Sequence, residues 1–337
     1  MPFSHILGQD TAVGTLVRAL QAGRVHHAYR FEGPPGVGKE LAAVALSQAL
    51  VCTAGDPLGC GRCDACRRAA ARSAGRPASP LHPDVAIVAK NFYPAAVIGR
   101  SRDELTEISV DQVRAIVLAH AAYPPHEGRA RVFIVRDAED LSVGAANAFL
   151  KTLEEPRPGT HFILLTSRGD RLLNTIRSRT LPVRFAPLSE PIVRGVLRAH
   201  GVPEERHDLA AELAAGSASA ALELADEEQT ASRDAFVKSV LAAATARDLG
   251  PAVAFAESVD RDKGALKDDL RALNAALARE ARAAVSSGAA GTADLRRASV
   301  SAKRYAAVSR AVTHLERNAS PSLAMASLIA ELRSITG

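Results

Sequence analysis

Two groups of residues have the types and spacing to do chemistry. The first is Gly33-Pro34-Pro35-Gly36-Val37-Gly38-Lys39, which fits G-x-x-x-x-G-K. Backbone N–H groups in such a loop converge on phosphate oxygens, and the lysine adds a positive charge. ATP chemistry there also needs two groups that hold magnesium. One is a Ser or Thr hydroxyl directly after the lysine; the other is an Asp at the end of an apolar strand, followed by a Glu that orients water. Here the first position holds Glu40, and Val132-Phe133-Ile134-Val135 is followed by Arg136 and Asp137. A guanidinium has donors and no acceptor, so it binds no metal. A carboxylate beside the phosphates adds repulsion. Both metal contacts are altered, with opposite charges, and two expectations follow. Either Glu40 and Arg136 pair where the ion would sit, or they are unrelated solvent-facing side chains. Gly33, Gly36, Gly38 and Lys39 remain as a degenerate cofactor-binding loop that leaves ATP binding open.

The second group is Cys52, Cys60, Cys63 and Cys66, spaced C-x7-C-x2-C-x2-C, and it contains every cysteine of the chain. Two-residue gaps let neighbouring thiolates converge on one ion, and four thiolates suit tetrahedral zinc at about 2.3 Å. Four protein ligands close the coordination sphere, which predicts a structural zinc stapling a polar insertion. An iron–sulfur cluster and free thiols are the alternatives.

These residues need elements to position them. A strand over 28–32 runs into the phosphate loop, and a helix follows with Leu41, Val44, Ala45 and Ala49 as its apolar face. Further strands are expected over 84–89, 131–135 and 161–166. Helices are expected over 109–121, started by Ser109, and over 141–155, with Ala146, Phe149, Leu150 and Leu153 on one face and Pro156 ending it. A short helical turn fits 172–176. Strands alternating with helices imply a parallel α/β sheet covered on both faces. After Phe185 only helical patterns appear; the clearest has Ser320 as N-cap, Pro321 at the first position, then Leu323, Leu328, Ile329 and Leu332.

A chain of 337 residues suggests two or three domains. The net charge of +5 permits contact with nucleic acid but is mild for this length. The start, Met-Pro-Phe-Ser-His, has no signal-peptide pattern, and no window reads as a membrane span, so a cytoplasmic location with no membrane partner is expected.

Phe3, Gly8-Gln9, His27-Ala28-Tyr29, the phosphate loop, the four cysteines, 147–156 (Asn-Ala-Phe-Leu-Lys-Thr-Leu-Glu-Glu-Pro) and Ser178-Arg179-Thr180 occur in that order. This series resembles the AAA+ subunits of the bacterial DNA polymerase III clamp loader, over nearly all of the first 190 residues. The resemblance implies an AAA+ P-loop domain over 1–187 with its zinc module at 52–66, a helical lid over 188–229 and an all-α collar over 230–337. His82-Pro83-Asp84, Arg136-Asp137-Ala138 and the chain length are similar to the delta-prime type. Where hydrolysing gamma/tau subunits carry a phosphate-sensing arginine shortly after Gly-Ser, Gly216-Ser217-Ala218-Ser219 has none. The implied function is a subunit that does not hydrolyse ATP and assists loading of the sliding clamp onto primer–template DNA, with gamma/tau and delta subunits as hetero-oligomeric partners. Ser178-Arg179-Thr180 resembles the family's Ser-Arg-Cys motif, with Thr180 in place of Cys, which implies that Arg179 acts as an arginine finger on a neighbour's ATP. The alternative for Arg179 is a local cap or a carboxylate pair. Lys151, Glu154 and Glu155 are implied to face a neighbouring subunit, and Arg296, Arg297, Lys303 and Arg304 read as a solvated face. An ATP-hydrolysing gamma/tau-like subunit and a free-standing zinc-containing nucleic-acid module are the competing readings.

Overall fold

Five short strands pair in parallel, the first four of them largely buried on both faces: β1 (Ala28–Glu32), β2 (Val85–Val88), β3 (Arg131–Val135), β4 (Thr160–Thr166) and β5 (Leu181–Arg184). The order across the sheet is β2-β3-β4-β1-β5. The computed structural model describes residues 2–74, 78–94, 96–98, 107–245, 263–286, 292–316 and 319–335. The expected helices of the C-terminal region over 246–262 and 287–291 lie outside the described residues.

The expected parallel α/β architecture followed by helices is the one observed. β5 was not foreseen: one of its four residues is buried and Pro182 lies within it, features tolerated at a sheet edge and weak as sequence signals. α1 (Asp10–Gln21), α2 (Lys39–Val51) and the helix Val143–Glu154 cover the sheet, together with a helix over 110–121 that takes π geometry at Val113–Leu118. Ser109 starts the last of these through a capping box: its hydroxyl accepts from the Gln112 N–H at 3.2 Å, and the Gln112 side chain accepts from the Ser109 N–H at 3.0 Å. Phe133 and Phe162 stack at 5.4 Å in the core, with Phe149 edge-on to Phe162 at 4.9 Å. Leu41 departs from expectation, being 59% exposed. The helix α2 turns Ala42, Ala45, Leu46 and Ala49 inward instead.

The chain divides into two compact units, Met1–Leu222 and Glu223–Gly337. The first also contains the helices Glu190–Ala199 and His207–Leu213. The second has its own core of Phe236, Val240, Leu266, Leu270, Leu273, Val308, Met325, Leu328 and Ile329. Its last helix, Pro321–Ser334, is capped by the Ser320 hydroxyl as the sequence predicts, while Leu323 faces outward. No helix among the described residues is long and apolar enough to cross a membrane.

Asp84 is a fixed point of the first unit. Its fully buried carboxylate accepts the N–H groups of His126, Glu127 and Gly128 at 2.5 to 2.9 Å and the Arg131 guanidinium at 3.0 Å. Burial alone would raise its pKa, but these donors outweigh it and hold the carboxyl at about 2. A depressed folded pKa gives stability that is present above the ordinary carboxylate pKa of about 3.9 and lost as pH falls towards 2. Asp84→Asn, which leaves Arg131 buried without its charge partner, is expected to cost about 3 kcal/mol at pH 7. Denaturant unfolding should show that deficit shrinking as pH falls from about 4 towards about 2.

Candidate phosphate site and cysteine centre

Left-handed glycines shape the phosphate loop. Gly38, at φ 98°, precedes the first residue of α2, and Gly36, at φ 73°, lets another segment approach closely. A Cβ on Gly36 would lie 2.2 Å from the hydroxyls of both Ser217 and Ser219. The Ala218 N–H donates to the Gly36 carbonyl at 2.9 Å. The Gly216-Ser217-Ala218-Ser219 segment is therefore hydrogen-bonded to the loop. Gln9 braces the other side, donating to the carbonyls of Val37 at 3.1 Å and Ala186 at 2.7 Å.

Lys39 is buried and its ammonium donates to the carbonyls of Gly33 and Pro34, each at 2.6 Å. Burial lowers its pKa, against the pull of Glu139 and Asp137. Asp137 is pushed the other way: burial, then Glu139 and Asp140, raise its pKa.

Glu40 and Arg136 form an ion pair. Of the two sequence expectations, pairing is the one observed. A third group joins them: Arg72 Nη2 lies 3.4 Å from the same Glu40 oxygen. The Arg136 guanidinium also sits 5.6 Å from the Phe92 ring centroid. Two guanidiniums on one carboxylate leave a net positive charge at positions that hold a divalent cation in a competent loop. Beside them is a cavity of about 740 Å³, lined by the loop, Glu40, Arg136 and Asp137, with Ile6, Leu7, Val196 and Leu222 as apolar wall. Arg72 was invisible in the sequence, since nothing in its neighbourhood marks an arginine that reaches back 32 residues.

The four cysteine sulfurs lie within 4.8 Å of one another, with Cys52 and Cys63 at 4.0 Å. Bonds of about 2.3 Å in a tetrahedron would set neighbouring sulfurs about 3.8 Å apart, so the donor set fits a four-coordinate ion. The Cys63 and Cys66 N–H groups donate to the sulfurs of Cys60 at 3.2 Å and Cys63 at 3.5 Å, bonds that favour thiolates. The cluster is docked on α2: Gln48 donates to the Cys66 carbonyl at 2.9 Å, and Gly59 lies so close that a Cβ would meet the Ala49 N at 3.0 Å. The short helix Asp64–Ala70 carries Arg68, which grips Glu127 at 2.6 and 2.7 Å. The segment then returns Arg72 to Glu40.

Arg179 lies away from the phosphate loop, after the short helix Asn174–Arg177. Its guanidinium pairs with Glu154 and caps the preceding turn, with Nη1 donating to the Thr175 carbonyl at 3.0 Å. Both contacts offered as the alternative to a finger are present. Its side chain stays about one-third exposed. Lys151, Glu154 and Glu155 are exposed as expected, with Glu154 engaged by Arg179.

Restoring a neutral ligand and a carboxylate should restore metal dependence. In Glu40→Thr/Arg136→Asp, calorimetric titration is expected to show ATP binding at least about tenfold tighter with magnesium than without. The parent chain should show no such gain. Because the pair is part-exposed, Arg136→Ala should change stability by no more than about 1 kcal/mol.

Residues 8–189, 182 of the 337, match the family described as DNA polymerase III, delta subunit. A DNA polymerase III subunit gamma/tau of Mycobacterium tuberculosis is 34% identical over 196 residues, covering 58% of this chain and 30% of that protein. A DNA polymerase III subunit delta' of Escherichia coli is 36% identical over 210 residues, covering 62% of this chain and 57% of that protein. The matches thus span less than two thirds of these relatives' lengths. A solved DNA polymerase III gamma subunit-related protein of Thermotoga maritima is 16% identical with a TM-score of 0.47, covering 95% of this chain and 98% of that one. Because the family match runs through the phosphate loop, the cysteine cluster and all five strands, this chain belongs to the DNA polymerase III delta-subunit family.

Proposed function

We propose that this chain is a delta-prime-type subunit of the DNA polymerase III clamp loader, one that does not hydrolyse ATP and that helps place the sliding clamp on primer–template DNA. The observation that carries this reading is the Glu40–Arg136 ion pair, with Arg72 on the same carboxylate, at the positions that should hold magnesium. Without a metal to bridge and neutralise the transferring phosphoryl group, the largest electrostatic contribution to phosphoryl transfer is missing. The absence of an arginine in 216–219 points the same way. In this reading residues 1–187 form the AAA+ domain, 188–229 the lid and 230–337 the collar that joins gamma/tau and delta neighbours.

Arg179 is the group given to a neighbour. Its guanidinium, always charged and fixed in a planar fork, would leave Glu154 on assembly and neutralise charge on the phosphoryl group at the adjoining site. The four cysteines hold a structural zinc, whose role is to fold the 52–66 insertion and keep Arg72 against Glu40.

A second reading, an ATP-hydrolysing gamma/tau-like subunit, draws on the gamma/tau relatives and on the cavity of about 740 Å³ beside an intact Gly36, Gly38 and Lys39. Equilibrium binding of Mg-ATP to the zinc-loaded chain separates the two. The proposed function expects no magnesium-dependent binding at millimolar ATP, and tight magnesium-dependent binding would overturn it.

In the reconstituted loader, Arg179→Ala should lower ATP turnover at the adjoining interface on the order of 10³-fold while leaving the chain's unfolding midpoint unchanged within a few degrees. Unaltered turnover would exclude the finger role. Metal analysis is expected to give one zinc per chain, and its removal by chelator should increase amide exchange first in 52–72.

A further inference from the structure

The turn that carries Arg179 is gripped from beneath by a buried arginine that no sequence motif marked. Arg30 lies mid-strand in β1 and is 6% exposed, between Tyr29 at 2% and Phe31 at 0%. Its Nη1 donates to the Thr180 hydroxyl at 2.7 Å and to the Arg177 carbonyl at 3.0 Å. Its Nε donates to Glu32 at 2.6 Å. Thr180, 6% exposed, passes its own hydroxyl proton to the Ile176 carbonyl at 2.9 Å. The residues on both sides of the Ser178-Arg179 pair, Arg177 through its carbonyl and Thr180 through its hydroxyl, are thereby tied to β1.

A charged group in a strand interior is costly unless it is paired and hydrogen-bonded, and an aliphatic side chain would fill the core without that cost. Glu32 balances the charge of Arg30, while the remaining donor contacts go to the turn. Bonds from an ionised donor are short and strong, and the planar guanidinium fixes their direction. Thr180 fits the same purpose. It stands where the resembled motif has a cysteine, and a hydroxyl is a far better acceptor for Arg30 than a weakly accepting thiol.

We propose that Arg30 and Thr180 are positioning residues for Arg179, fixing the turn so that the finger alone moves when it exchanges Glu154 for a neighbour's phosphate. This rests on the reading of Arg179 as a finger in trans. A displacement of about 1 Å at a reacting group can cost on the order of 10²-fold in rate, so a loosened turn should impair the neighbour's chemistry even with Arg179 in place.

The test uses the reconstituted loader with Thr180→Val, which removes the hydroxyl at equal volume, Thr180→Ser, which keeps it, and Arg179→Ala as reference. Thr180→Val is expected to lower kcat for ATP at least about tenfold with KM unchanged, to add nothing when combined with Arg179→Ala, and to speed amide exchange over 177–181. Thr180→Ser should restore kcat, and Arg30→Met should repeat the Thr180→Val effect. Normal kcat in Thr180→Val beside an impaired Arg179→Ala would overturn the proposal and leave the finger standing. So would equal impairment of the Val and Ser variants, or additivity with Arg179→Ala. Normal turnover in Arg179→Ala itself would remove both the finger and its positioning.

Discussion

All five strands run the same way, so their carboxyl ends open on one edge of the sheet, and the phosphate-loop site depends on that constraint. The phosphate loop leaves β1, Arg136 follows β3, Ser167 follows β4 and Phe185 follows β5, whose carbonyl crowds Gly33. Residues 33, 136, 167 and 185 are far apart in sequence and adjacent only because parallel pairing gives them no alternative. Glu40 and Arg136, 96 positions apart, meet for this reason.

That meeting changes what the edge can do. A competent site puts a small divalent cation between a hydroxyl and a carboxylate, and the cation moves in and out with the nucleotide. Here covalently attached side chains supply the opposite charges, and Arg72 strengthens the positive side from the cysteine segment. Each contact is part-exposed, so none contributes much to stability. Their consequence is electrostatic: a divalent cation beside two guanidiniums is disfavoured, while the loop's backbone geometry is left intact.

Much of this was legible in the sequence because it rests on local rules. The loop, the two-residue cysteine gaps, the Ser109 and Ser320 caps and the Phe149 helix are patterns within a few turns of chain, and each is found where its spacing put it. The misses share a different cause. Leu41 reads as core by periodicity, yet α2 begins at the sheet edge, where its first turn overhangs the cavity. β5 carries a proline and is exposed at three of its four positions, so it lacks a strand's apolar signature and forms because β1 offers it a free edge. Arg30, Arg72 and Asp84 acquire their roles through partners 32 to 150 residues away, and no local pattern encodes such contacts.

If Arg179 is the finger proposed above, the arrangement around it separates two demands that such a transferable group must meet. It needs a guanidinium free to leave its resting partner and a backbone that does not move with it. The pair with Glu154 is exposed enough for water to replace it, so exchanging that carboxylate for a phosphate requires little energy. Of the contacts beneath, the one from Arg30 to Thr180 is buried and the one to the Arg177 carbonyl half-buried, and breaking them would leave a charged donor without its acceptors. His27 extends the same pattern, bonding the Leu153 carbonyl at 3.0 Å and so tying the end of the Glu154 helix to the base of β1. A weak outer pair on a firmly bonded inner frame is what the proposed finger would need, so that its side chain changes partners while its origin stays fixed.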